Sequence, residues 1–104
     1  MKTKASKKFT VQGKVWLYPS ETASWHFFTI PKKESSLIKA QYGSLSKGWG
    51  SLPVLVSIGA TTWTTSIFPD SKSGTYILPL KAEVRKKEGI FEGDECVVVC
   101  SIKV

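Results

Sequence analysis

Apolar and polar residues alternate with a period of two over much of the chain. From Phe9 to Tyr18, the residues Phe9, Val11, Val15 and Leu17 fall on one face and Thr10, Gln12, Lys14, Trp16 and Tyr18 on the other. That is the pattern of a half-buried strand. Gly13 lies in its middle, where a bend or bulge is expected. Pro19 to Thr22 reads as a turn, and Trp25 to Ile30 as a second strand closed by Pro31. Leu52 to Ile58 and Thr62 to Phe68 predict two further strands, with Gly59-Ala60-Thr61 as a tight hairpin between them. Pro69 to Gly74 is a polar turn and Thr75 to Leu80 a fifth strand. Cys96 to Val104 is the last, and its run of apolar residues (CVVVC) predicts burial on both faces. Two helices interrupt the strands. Lys32 to Tyr42 carries Leu37, Ile38 and Tyr42, with Glu34 at the positive end and Gly43 placed to stop it. Lys81 to Lys87 offers a Glu83–Lys87 pair, and Gly89 follows it.

The pattern repeats. Trp16-Leu-Tyr-Pro19 is echoed by Ser66-Ile-Phe-Pro69, and Phe28-Thr-Ile-Pro31 by the segment ending in Pro79. Pro19 and Pro69, Pro31 and Pro79, and Gly43 and Gly89 are separated by 50, 48 and 46 residues. A period near 48 implies two copies, roughly 9–58 and 62–104, each strand, strand, helix, strand. Neither copy can bury both sides of its strands alone. The expected fold is therefore mainly β: a closed, double-split barrel of about six strands with pseudo-two-fold symmetry and two short helices.

Composition narrows this picture. A chain of 104 residues with 41% hydrophobic and 12% aromatic residues is one domain with a real core. It is not a disordered chain, a coiled coil or a collagen-like repeat. The longest uncharged stretch, Gly48 to Pro69, is rich in Gly, Ser, Thr and Pro and makes no membrane span. Fifteen basic and eight acidic residues give a net charge of +7. Lys2, Lys4, Lys7 and Lys8 crowd the first eight residues, leaving 11 − 8 = +3 for the remaining 96. Residues 1–8 are thus expected to be a solvated basic tail. Through it, nucleic-acid contact should be weak, non-specific and salt-sensitive. The N-terminus lacks the apolar run of a secretory signal. Cys96 and Cys100 lie about 13 Å apart on one strand, too far to be joined there by a disulfide. Two buried free thiols and a cytoplasmic location follow as expectations.

The string Ile77-Leu-Pro79-Leu-Lys81-Ala-Glu-Val84-Arg85, followed by Gly89-Ile90 and Gly93-Asp94, resembles the swapped-hairpin AbrB-type domain, which includes the MazE antitoxins. There two chains pair into one barrel, whereas here the repeat would supply both halves. A fuller resemblance runs through Trp25-His26-Phe27, Gly48-Trp-Gly-Ser-Leu-Pro53-Val54, Thr64-Thr-Ser66-Ile-Phe68-Pro69, Leu78-Pro79-Leu-Lys81, Val84-Arg85 and Gly93-Asp94. It is to an uncharacterised bacterial family of double-split β-barrel domains, found alone or fused to a bacteriocin-protection, OmpD-associated domain. That resemblance implies the fold and no activity.

Candidate chemistry is sparse. His26, the single histidine, shares a strand face with Phe28 and Ile30 and reads first as a half-buried structural side chain. No sequence signature supplies it with a nucleophile or companion ligands. No phosphate-binding glycine loop or nucleophile elbow occurs. Glu92, Asp94 and Glu95 read as a solvated acidic turn. Trp16 and Trp63 are expected to plug the barrel ends, whereas Trp49, between two glycines in a loop, suits recognition. Arg85 is the sole arginine and is expected to satisfy Asp94 or helix-end carbonyls. The candidate binding surface is Trp49, Trp25, His26 and Arg85, with no metal, cofactor or catalytic residue. The reading is a non-enzymatic binding or interaction module for a ligand or protein partner yet to be identified, with no membrane association. The alternative is a nucleic-acid-binding regulator of AbrB or MazE descent.

Overall fold

The computed structural model describes residues 8–18 and 25–103. The strands are β1 (Lys8–Tyr18), β2 (Trp25–Thr29), β3 (Leu52–Ile58), β4 (Thr61–Asp70), β5 (Thr75–Pro79) and β6 (Glu95–Ile102). Helix α1 spans Lys32–Tyr42 and α2 Ala82–Glu88, and two short 3-10 turns, Gly43–Leu45 and Gly48–Gly50, follow α1. All strand pairs are antiparallel, and they close in the order β1-β2-β5-β4-β3-β6. The protein is a mainly β, closed six-stranded barrel.

Two long strands make the closure. β1 pairs with β6 from Lys8 to Lys14, then with β2 from Val15 to Tyr18. The change of partner falls between Lys14 and Val15. Gly13, just before it, still pairs with Cys96, and a Cβ there would meet the Phe28 ring at 3.3 Å. β4 behaves alike, pairing with β3 from Thr61 to Ile67 and with β5 from Phe68 to Asp70. Exchanging β1 with β4, β2 with β5 and β3 with β6 leaves the order of pairings unchanged. The interior is filled by alternate residues, among them Val15, Phe28, Val54, Val56, Ile67, Leu78, Val98 and Ile102, and Ile38 of α1 packs into the same core.

Several local expectations change. A single-walled barrel buries one face of each strand, so β6 alternates and Val97 is exposed rather than buried on both sides. Gly43 does not cap α1 with a left-handed turn. It stays right-handed and leads into a 3-10 turn, whereas Gly89, at φ 64°, does cap α2. Pro69 and Asp70 belong to β4, and Glu83 and Lys87 form no ion pair. Lys8 already lies in β1, while residues 1–7 and the turn at Pro19 to Thr22 fall outside the described residues. No described helix is long and apolar enough to cross a membrane.

Candidate functional site

The β2–β5 ladder ends differently on its two sides. Where it meets α1, the buried Ser35 seals it. Where it meets α2, the Leu80 N–H donates to the His26 carbonyl at 2.9 Å, and Arg85 Nε donates to the Leu80 carbonyl at 3.1 Å. Beside these contacts a cavity of about 310 Å³ remains, at the low end of the range for small-ligand sites. Its walls are Trp25 and His26 from β2, Trp63, Thr64 and Thr65 from β4, Pro79 and Leu80 from β5, and Lys81, Ala82 and Arg85 at the start of α2.

Each side chain is placed by its strand register. His26 lies opposite Leu17 and on the inward face with Phe28, so its ring enters the barrel mouth. Trp63 lies opposite Val56, half-buried against the core, and floors the same end. Trp25 begins β2 with half its surface exposed and forms the rim. Arg85 reaches the cleft because Lys81, still extended, starts α2 directly after β5. Its Nε is held neither by Asp94, which instead accepts from the Phe91 N–H, nor by a carbonyl at the end of α2, but by the Leu80 carbonyl just before that helix.

The charged side chains that line the cleft are all basic. Lys81, Arg85 and His26 line the cleft and no carboxylate does. Burial holds His26 below its ordinary pKa, the Arg85 charge pushes the same way, and Glu92 opposes them. At neutral pH the imidazole is therefore uncharged. Its Nδ1 is buried with no hydrogen-bond partner among the described residues. Thr64 and Thr65 add hydroxyls to the lining, and among the described residues no hydrogen bond joins either to His26. Among the described residues, no three of His, Cys, Asp and Glu gather as a metal site would require.

Of the sequence candidates, Trp25, His26 and Arg85 line this one cleft. Trp49 does not. It is 92% exposed in a 3-10 turn beside Gly50, whose own position is fixed against Pro69. Trp63 and Lys81 line the cleft without having been singled out as binding residues. Trp63 was expected only as a plug at a barrel end, and Lys81 sits four residues before Arg85. Trp16 is not a barrel plug. It lies on the outside, stacked obliquely on Phe27 at 5.1 Å and donating its indole N–H to Thr29.

A family model described as a domain of unknown function (DUF1905) matches residues 12–99. The chain belongs to this family. The match takes in all of β2 to β5 and both helices, and so every residue of the cleft. No curated protein matches the chain.

Proposed function

We propose that the protein is a non-enzymatic binding module whose ligand is a small anion carrying a planar apolar group. The observation that carries this reading is the cleft wall: two cations and a neutral histidine, with two tryptophans and no carboxylate. Arg85 and Lys81 would take the anionic group, Arg85 with its remaining guanidinium N–H groups. Trp25 and Trp63 would flank the planar part. The unpartnered Nδ1 of His26 offers one further polar contact, as donor or acceptor according to its tautomer.

The test is a titration of the full chain with a nucleoside monophosphate, which joins a phosphate to a planar base, followed by amide chemical shifts. Perturbations should centre on His26, Thr64, Thr65, Lys81 and Arg85. Arg85→Gln should weaken binding by about tenfold or more, the size expected for losing one charge-assisted contact. Shifts confined to other surfaces, or an unchanged affinity in Arg85→Gln, would reject the cleft as the site.

A further inference from the structure

Outside the barrel, β1 and β2 carry four aromatic side chains in two cross-strand rungs. Trp16 lies opposite Phe27 and Tyr18 opposite Trp25. Phe27 also meets Tyr18 edge-on at 6.4 Å. Tyr18 and Trp25 are each 53% exposed. These four residues, with Ile77, Asp70 and Lys72, line a groove of about 580 Å³. Trp25 lines both this groove and the cleft, so the two adjoin at this residue.

We propose that this surface binds single-stranded nucleic acid, with bases on the aromatic rungs and the phosphate chain leading past Trp25 into the cationic cleft. The proposal rests on the cleft reading above and extends it to a ligand class. Charge selects the class. The track offers Lys72 at one end and Lys81 and Arg85 at the other, and none of these cations is held in an ion pair by another described residue. Its one carboxylate, Asp70, is turned into its own loop, accepting from the Lys72 N–H and the Ser73 hydroxyl. A neutral sugar would find aromatic faces but few free polar partners for its hydroxyls, because the acceptor Asp70 and the donor Trp16 indole N–H are both already engaged. A polyanion with flat rings finds both of its needs met.

Spacing selects the single strand. Rungs two residues apart along a strand stand about 6.8 Å apart, roughly twice the 3.4 Å rise of stacked bases in a duplex. Each rung can therefore take one unstacked base, and bases stacked in a duplex cannot reach both. Aromatic platforms on strands bind single strands in this way with little sequence preference.

The experiment is a fluorescence-anisotropy titration of the full chain with labelled ten-residue oligothymidylate and oligouridylate at about 0.15 M salt. A hairpin duplex with the same number of phosphates serves as comparison. A single strand should bind at least about tenfold more tightly than the duplex and more tightly than the mononucleotide, and should quench tryptophan emission. Tyr18→Ser and Trp25→Ser should each weaken it about tenfold, and the exposed Lys72→Glu should lower the salt dependence as well as the affinity. Melting curves like the parent's would show that each variant is folded. Equal or tighter binding to the duplex, or variants that fold and bind as the parent does, would assign the contact to the N-terminal lysines and overturn the proposal. So would salt-insensitive binding of a neutral oligosaccharide, or a dimer that covers Tyr18 and Trp25. Mononucleotide shifts in the cleft with no gain from the longer strand would overturn this proposal and leave the cleft reading standing. Absence of any mononucleotide binding would reject the cleft reading itself.

Discussion

Ser35 of α1 accepts the Tyr76 amide hydrogen at 2.9 Å and donates its own hydroxyl hydrogen to the Ile30 carbonyl at 2.9 Å. The Ile30 N–H meets the Tyr76 carbonyl directly at 2.9 Å. One bond of an antiparallel pair is thus made by backbone alone, and its twin runs through a serine hydroxyl. Ser35 is almost fully buried, so no water replaces it easily. Ser35→Ala leaves an N–H and a carbonyl unsatisfied, at about 1–3 kcal/mol each. The expected loss is about 2–6 kcal/mol, or about 10–30 °C in melting temperature for a domain this size. Calorimetry would check it, and a drop of only about 2 °C would show that the ladder closes on itself without the hydroxyl.

The counterpart of this contact lies at the other end of the ladder, where Arg85 Nε bonds the Leu80 carbonyl. Ser35 stands five residues after Ile30, and Arg85 five after Leu80. This correspondence, with the pairing order that survives exchange of the strands, supports the proposal that the chain is two copies of one β-β-α-β unit. The ends differ in outcome. At the α1 end the small Ser35 is buried in the ladder, whereas at the α2 end the long Arg85 bonds the Leu80 carbonyl and lines the cleft. Superposing the two units in an experimental structure should align Ile30 with Leu80 and Ser35 with Arg85, and unrelated positions for these pairs would end the proposal.

Much of the fold was legible because its signals are local. Pro31 and the apolar pair Leu37 and Ile38 marked α1 over Lys32–Tyr42, and the alternation of β1 gave its inward face. The reading of β6 failed because a run of valines cannot show how many faces a sheet will cover. The site was only half legible. Trp25 and His26 stand next to each other, but Arg85 comes to them through the β2–β5 pairing, which no short-range pattern encodes. Trp16 was misplaced for a related reason. Its strand face was right, but an outward face on a barrel is solvent, not a barrel end.

His26 gives the protein a pH dependence with a definite sign. Its folded pKa is lowered below the ordinary 6.5, first by burial and then by Arg85. Between the lowered value and 6.5 the unfolded chain binds more protons, so stability rises with pH through that window and falls on acidification. In His26→Gln that part of the dependence should vanish, as melting temperatures across pH 5–7.5 would show. An anion in the cleft should raise the His26 pKa by stabilising imidazolium, and a histidine titration followed by NMR with and without nucleoside monophosphate would read this. An unmoved pKa would mean that the anion lies elsewhere.

The two thiols should differ in reactivity from solvent-exposed cysteine. Both are free and buried on β6. Burial pushes Cys100 up to about 12 and also raises Cys96, where Asp94 and Glu95 add to the effect. Since the thiolate is the reactive form, labelling of the native protein at pH 8 should be slow, with Cys100 slower than Cys96. Guanidinium should release both at once, because one cooperative barrel protects them. Mass spectrometry of the labelled protein would show the order, and rapid native modification of Cys100 would place it outside the core.

Trp49 joins exposure to backbone strain. It is 92% exposed and adopts φ 64°, ψ 14°, the left-handed region that a side chain enters at a cost of about 1 kcal/mol or more. Its loop is anchored next door, since a Cβ at Gly50 would meet Pro69 Cγ at 2.9 Å and Pro69 pairs with Tyr76. Tyr76 is four residues, about 13 Å, from Leu80 and the cleft. Trp49 therefore belongs to the α1 end of the barrel, and its side chain contributes little buried area. Trp49→Ala should shift stability by less than about 0.5 kcal/mol, the usual range for an exposed position. Trp49→Gly should stay within about 1 kcal/mol, because relief of the left-handed strain offsets the added freedom of the unfolded chain. Neither should change the affinity for nucleoside monophosphate, although both should remove the tryptophan emission most accessible to iodide. A tenfold loss of affinity in Trp49→Ala, with the melting temperature intact, would mean that this loop bends over the bound ligand and that Trp49 belongs to the same site as Trp25 and Arg85.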